Sequence, residues 1–265
     1  MGETILDTIA AHARERVAAA RAERSLETLQ ALCQQLGPGR GAERFSAALR
    51  RPGLSLICEV KKASPSKGII SPDFPYQAIT RDYEAAGADA ISCLTEPRWF
   101  LGSDQIFREI RKETAIPMLR KDFTVDPYQL YEARLLEADC VLLVCSLLDT
   151  ETLFRYLKLC EELGLAALTE AHSEEEISSA LEAGAQIIGV NNRNLKDFSV
   201  DFANARRLRD LVPPDILFVA ESGVRGPEDI RQLRALGADA ALIGETLMRS
   251  TDKRALLTEL REAGQ

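Results

Sequence analysis

The chain has 265 residues, of which 46% are hydrophobic and 28% charged, and its formal net charge is −8. That is an ordinary globular composition, long enough to bury a sizeable core without disulfide or metal staples. The acid excess excludes nucleic acid as a default partner, because phosphate backbones select basic surfaces, yet it leaves room for a small anion at a local basic site.

Residues 1–50 carry no strand signal. Ile5, Ile9, Val17 and Ala18 recur near helical spacing among Arg14, Glu15, Arg16, Arg21 and Arg24, which predicts an amphipathic helix. Gly37-Pro38-Gly39 breaks the pattern, and a second short helix is expected over Ala42 to Leu49. This stretch reads as a helical extension laid on the main body.

From Leu54 the texture changes to short, almost continuously apolar runs. They are Leu54–Val60, Ala90–Leu94, Pro117–Arg120, Cys140–Cys145, Ala166–Thr169, Ile187–Val190, Ile216–Ala220 and Ala240–Ile243. Each is followed by a helical stretch, and apolarity along a whole run suits parallel strands buried on both faces. The joints entering the strands repeat as Ala86-Gly87-Ala88-Asp89, Glu137-Ala138-Asp139, Ala183-Gly184-Ala185-Gln186 and Leu236-Gly237-Ala238-Asp239, where glycine suits a left-handed helix C-cap. Eight such units predict an α/β fold, a (βα)8 TIM barrel over 54–250 with the N-terminal helical extension before it. A C-terminal helix follows over 251–265, and the chain reads as a single domain, 1–265. An open doubly wound sheet is the structural rival, but no GxGxxG follows the first run.

Polar residues at the C-terminal ends of barrel strands need a reason, since those ends form the active-site face of this fold. The first run ends Glu59-Val60-Lys61, the third Arg120-Lys121-Asp122-Phe123, the fifth Thr169-Glu170-Ala171-His172, the sixth Asn191-Asn192-Arg193-Asn194 and the seventh Glu221-Ser222-Gly223. Period-two alternation puts Glu59 and Lys61 on one face with Val60 on the other. An ion pair that merely plugs the barrel would explain one such pair. Charged and amide groups on the first, third, fifth and sixth strands together point instead to chemistry. Ser222-Gly223 and Gly244-Glu245 follow the last two strands, where backbone N–H groups of these barrels often hold phosphate; Glu245 is expected to contribute its N–H and turn its side chain away. His172 reads as a polar loop residue.

None of the six cysteines forms a CxxC pair, and the two histidines, His12 and His172, lie far apart, so no metal site is expected. Cys58, Cys93, Cys140 and Cys145 sit in apolar runs and read as buried free thiols. With no signal-like N-terminus and no span of roughly 20 apolar residues, a cytoplasmic protein without membrane association is expected. The oligomeric state stays open, a monomer being compatible.

Several segments resemble one family. Glu59-Val60-Lys61-Lys62-Ala63-Ser64-Pro65-Ser66 is similar to the first-strand signature of indole-3-glycerol phosphate synthase, and Phe100-Leu101-Gly102-Ser103, Lys121-Asp122-Phe123, Glu170, Asn191-Asn192-Arg193-Asn194-Leu195 and Glu221-Ser222-Gly223 match further motifs in the same order. The resemblance implies closure of an indole ring from 1-(2-carboxyphenylamino)-1-deoxyribulose 5-phosphate with loss of CO2 and water, in tryptophan biosynthesis, with no metal or organic cofactor. It implies Lys121, Glu170, Glu59, Lys61 and Asn191 as catalytic groups. Ser64, Pro65, Phe100, Phe123, Leu142, Arg193 and Leu195 would surround the substrate, and Lys61, Ser222, Gly223, Gly244 and Glu245 its phosphate. Lys121 fits a general acid if burial or a nearby cation such as Lys61 lowers its pKa. Which lysine serves which step is open at this point. A non-catalytic sugar-phosphate barrel and phosphoribosylanthranilate isomerase are the competing readings; the first would lose the acid and base retained here, and the second has a different first-strand pattern.

Overall fold

The computed structural model describes residues 4–193 and 199–265. Among them, eight parallel strands close a barrel: β1 (Ser55–Val60), β2 (Ala90–Leu94), β3 (Met118–Lys121), β4 (Cys140–Val144), β5 (Ala166–Ala171), β6 (Ile187–Asn191), β7 (Leu217–Glu221) and β8 (Ala240–Ile243). Closure is made by β1, where Ile57 pairs in register with Leu242 of β8 and with Ala90 of β2. The TIM barrel read from the sequence is therefore the fold observed.

Alternation sorts each strand into two cores. Ile57, Leu119, Leu142, Leu168, Leu217, Val219 and Leu242 pack together inside the barrel, whereas Leu56, Cys58 and Val60 of β1 pack outward against the helices. All six cysteines are buried and free.

The extension is three helices rather than the two expected: α1 (Ile5–Glu23), α2 (Leu26–Leu36) and α3 (Gly41–Leu49). The break unforeseen in the sequence falls at Ser25, whose hydroxyl accepts the Thr28 N–H as an N-cap. Each helix closes a different surface. Phe45 and Leu49 of α3 join the inner core and seal the N-terminal end of the barrel. Leu29 of α2 meets Val17 and Tyr128. α1 is fastened to the C-terminal rim of the barrel by Arg16, which makes a bidentate pair with buried Asp122 at 3.0 and 2.7 Å.

The outer helices are α4 (Tyr76–Ala85), α5 (Asp104–Glu113), α6 (Tyr128–Leu135), α7 (Thr150–Leu163), α8 (Glu174–Glu182), α9 (Ala203–Arg209), α10 (Pro227–Ala235), α11 (Glu245–Arg249) and α12 (Lys253–Ala263). At the repeated joints Gly87, Gly184 and Gly237 take φ of 86°, 89° and 81°, and Glu137 fills the same position at 59° despite its side chain. The aspartates closing these joints staple the barrel floor: Asp89, Asp139 and Asp239 accept the N–H groups of Leu56, Met118 and Phe218 at 2.9, 2.8 and 2.7 Å. Asp139 also pairs with Arg44 of α3 at 2.6 Å and Arg111 at 2.9 Å. Truncation would strand two cations and one buried amide. Asp139→Ala should therefore cost about 3 kcal/mol in urea unfolding; a loss below about 1 kcal/mol would show that the staple is dispensable.

Candidate active site

The charged strand ends meet in one cavity of about 500 Å³ at the C-terminal mouth. Glu59 and Lys61 share the inner face of β1 as alternation requires, with Lys61 Nζ 2.5 Å from Glu59 Oε2. Lys121 closes β3, and its Nζ lies 3.3 Å from Glu170 Oε2 on β5 and 2.9 Å from Glu221 Oε2 on β7. Asn191, at the end of β6, helps hold the Glu170 carboxyl down and accepts the Arg193 backbone N–H at 3.0 Å.

One ammonium thus serves two buried carboxylates, and their environments divide the charge. Burial alone would depress Lys121, but Glu221, Glu170 and Glu59 more than reverse that and hold it well above an ordinary lysine. The lowered lysine expected from the sequence is therefore corrected. Its physical reason is visible: Lys61, the cation expected to depress it, is spent on Glu59. Burial pushes the Glu170 carboxyl up, but Lys121, His172 and Asn191 outweigh it and hold Glu170 below the usual carboxylate range. For Glu221 burial prevails, with Glu170 and Glu59 adding repulsion, and its carboxyl is pushed up to about 7. The extra proton of the trio belongs on Glu221, whose Oε1 is buried without a hydrogen-bond partner. Space for that carboxyl comes from Gly189 on β6, since a Cβ there would strike Glu221 Oε1.

The cavity is apolar on one side and cationic on the other. Phe100 and Phe123, ring centroids 6.1 Å apart, line it together with Pro65 and Leu142, and Ser64 stands on the short antiparallel hairpin after β1, paired with Gly68. Phe100 is held by Glu96, whose buried carboxylate accepts the N–H groups of Arg98, Trp99 and Phe100 at 3.0, 2.7 and 3.0 Å. At the other end Ser222 and Gly223 take consecutive left-handed φ values of 66° and 93°, and Gly244 lies against the Glu59–Lys61 pair. Lys67, Arg193, Arg225 and Arg249 line the same end.

Glu245 departs from expectation. Its carboxylate does not turn away; it lies 3.7 Å from Lys67, 3.4 Å from Arg193 and 3.1 Å from Arg249. Three cations from three segments hold this carboxylate. Leu195 falls outside the described residues. The sequence reading assigned no role to Glu221, although its parity with Leu217 and Val219 marks it as inward-facing. It also missed the wall that α1 supplies through Ile5, Leu6 and Ile9, and the basic residues Lys67, Arg225 and Arg249.

Among the described residues no group of three His, Cys, Asp or Glu side chains is placed to hold a metal ion, and no helix is long and apolar enough to cross a membrane. A broader depression of about 780 Å³ on the outer wall between α10 and α12 is lined by exposed Arg231, Arg234, Glu259 and Glu262. It holds no comparable set of buried groups.

Solved structures match the architecture: 3-hexulose-6-phosphate synthase from Salmonella typhimurium superimposes with a TM-score of 0.64 over 79% of this chain and 98% of that one, at 13% identity. At that identity the likeness concerns the fold alone. Sequence relatives are far nearer. The indole-3-glycerol phosphate synthase of Ruminiclostridium cellulolyticum is 56% identical over 97% of this chain and 98% of its own. That of Lachnoclostridium phytofermentans is 51% identical over 82% of this chain and 80% of its own. The family model described as indole-3-glycerol phosphate synthase matches residues 6–260. With its barrel, its Lys121-centred carboxylates and this near full-length match, the chain belongs to the indole-3-glycerol phosphate synthase family.

Proposed function

We propose that the chain converts 1-(2-carboxyphenylamino)-1-deoxyribulose 5-phosphate to indole-3-glycerol phosphate, releasing CO2 and water, as a carboxy-lyase of tryptophan biosynthesis. The observation that carries this reading is Lys121 set between Glu170 and Glu221, in a cavity with an aromatic wall at one side and a basic end at the other. The substrate has the same polarity, an aromatic ring at one end and a phosphate at the other.

Ring closure joins the ring carbon bearing the carboxylate to the ketone carbon. Negative charge gathers on the ketone oxygen while the ring nitrogen becomes positive. The Lys121 ammonium gives its proton to that oxygen. A lysine held above its ordinary value still serves, because the nascent alkoxide is about as basic as hydroxide, whose conjugate acid has a pKa of roughly 15.7. Glu170, kept ionised, opposes the charge on nitrogen. Departure of CO2 returns its bonding pair to the ring. Glu221, protonated near neutral pH and 2.9 Å from Lys121, returns a proton to the spent amine. Dehydration then removes a proton from the carbon beside nitrogen and expels the hydroxyl as water. The adjacent Glu59 and Lys61 are assigned this step as base and acid, and Asn191 positions Glu170 and the sugar hydroxyls.

Phe100, Phe123, Pro65 and Leu142 enclose the ring, Ser64 and Arg193 flank it, and the phosphate lies with Ser222, Gly223, Gly244 and the Glu245 amide. Binding would draw Lys67 and Arg249 from the Glu245 carboxylate to the incoming dianion. A cytoplasmic setting, a small phosphorylated partner, no cofactor and no nucleic acid or membrane go with this reading. Incubation with the deoxyribulose phosphate while indole absorbance is followed tests it: product should form with the purified chain alone, and a folded sample that gives none overturns it.

A further inference from the structure

His172 has no part in the steps above, yet it is built into the site. It follows β5, on the same inward face as Glu170, and its side chain is 19% exposed. The ring is braced from outside. Its Nδ1 lies 3.3 Å from Glu176 Oε2, the oxygen that also accepts the His172 backbone N–H at 2.7 Å. Glu176 is fixed in turn, because the Ser146 hydroxyl donates to its other oxygen at 2.9 Å and its own N–H donates to Ser173, the N-cap of α8, at 3.3 Å. The chain bonds make a bracket from a Ser-x-x-Glu helix start. A ring clamped through Nδ1 can aim only Nε2 inward. That atom is buried without a hydrogen-bond partner, 3.5 Å from Glu170 Oε1.

The two oxygens of Glu170 therefore face different cations, Lys121 at Oε2 and His172 at Oε1. We propose that His172 is a positioning residue: as an imidazolium clamped by Glu176, it holds Glu170 ionised and turned toward Lys121. The inference rests on the reading of Glu170 as a catalytic carboxylate. The surroundings favour the charged ring, since burial disfavours it but Glu176, Glu170 and Glu221 outweigh burial and raise His172 above the ordinary histidine value. The remaining titratable groups at the contact are Lys121 on β3, which opposes the imidazolium, and Cys145 on the turn after β4, whose thiol is pushed up to about 12 by burial. At neutral pH Cys145 adds no charge.

The test is the pH profile of kcat/KM for wild type, His172→Gln and Glu176→Gln. Glutamine keeps an N–H donor near the Nε2 position and loses the charge. Without the imidazolium, Glu170 takes up a proton at higher pH, so the acid limb should move upward by about one unit in His172→Gln. The activity ratio between pH 7 and a pH well down the acid limb should then grow, approaching about tenfold. Glu176→Gln, a milder change that frees the ring, should move the limb the same way by less. The same shift should persist in a Glu221→Gln background, which removes the carboxylate that titrates near neutrality. A merely structural role would scale activity equally at every pH. An acid limb unmoved in both variants, with Glu170→Gln inactive, overturns the inference and leaves the Glu170 reading standing. Near wild-type turnover by Glu170→Gln sinks that reading, and this inference with it.

Discussion

Lys121→Ala is expected to lower kcat by at least about 10², the lower range for removing a general acid. The side chain is the sole cation within bonding distance of both Glu170 and Glu221 among the described residues. Its loss removes the proposed proton donor and leaves two buried carboxylates facing each other. They will not both stay charged; the pair takes up protons, and Glu170 loses the ionised state that opposes charge on the ring nitrogen. Unfolding is a possible confounder, because breaking a buried pair typically costs about 3–5 kcal/mol. Lys121→Arg separates the two effects. Arginine keeps the positive charge for Glu170 and Glu221, but its guanidinium is a wider fork and does not give up a proton at neutral pH. The arginine variant should therefore fold and still lose most of kcat, with KM changed far less. Turnover near wild type in a folded arginine variant would show that Lys121 supplies charge rather than a proton, and turnover near wild type in the alanine variant would remove it from the mechanism altogether.

The barrel was legible because its strands are buried on both faces, so apolar runs stand out against amphipathic helices. The ends were read less well, for a physical reason tied to the site. The apolar pattern of the fifth and seventh runs stops at Thr169 and Ala220, while β5 and β7 continue through Glu170 to Ala171 and through Glu221. Ladder hydrogen bonds do not depend on side-chain polarity, so a strand extends past the point where inward residues turn charged. The residues that cut the hydrophobic pattern short are the ones that enter the mouth. The break at Ser25 was hidden because a serine N-cap needs neither glycine nor proline. The Lys121 expectation failed because one chain of motifs cannot say which cation is paired to which anion. Lys61 was available in sequence and neutralised by Glu59 in space. His172 lacked any signal of its own; only the bracket from Glu176 marks it out.

Glu221→Gln should have two opposite effects, a loss of turnover and a gain of stability that grows with pH. Turnover falls because glutamine cannot return a proton to Lys121, and a drop in kcat of about 10- to 100-fold is expected for a relay group one step from the reacting atoms. The stability effect follows from linkage. In the fold the Glu221 carboxyl is pushed up to about 7, above its ordinary value of 4.5, chiefly by burial. Below pH 4.5 it is protonated whether the chain is folded or not, and costs nothing. As pH rises from there the unfolded chain releases the proton while the fold retains it, so wild-type stability declines until the folded group ionises near pH 7 and the penalty levels off. Each unit of displacement corresponds to about 1.4 kcal/mol. Glutamine has no such proton, so the advantage of the variant over wild type should widen by about 2–3 kcal/mol between pH 5 and pH 8. Urea titrations of both proteins at the two pH values measure the widening, because titrating groups out of contact with Glu221 cancel to first order. A constant difference between pH 5 and pH 8 would place the proton elsewhere in the trio. The Lys121–Glu221 relay would then lack its donor. A widening accompanied by unchanged kcat would keep the proton on Glu221 but remove it from the reaction. The pair of measurements thus asks whether the fold tolerates a costly buried carboxylate because catalysis uses it.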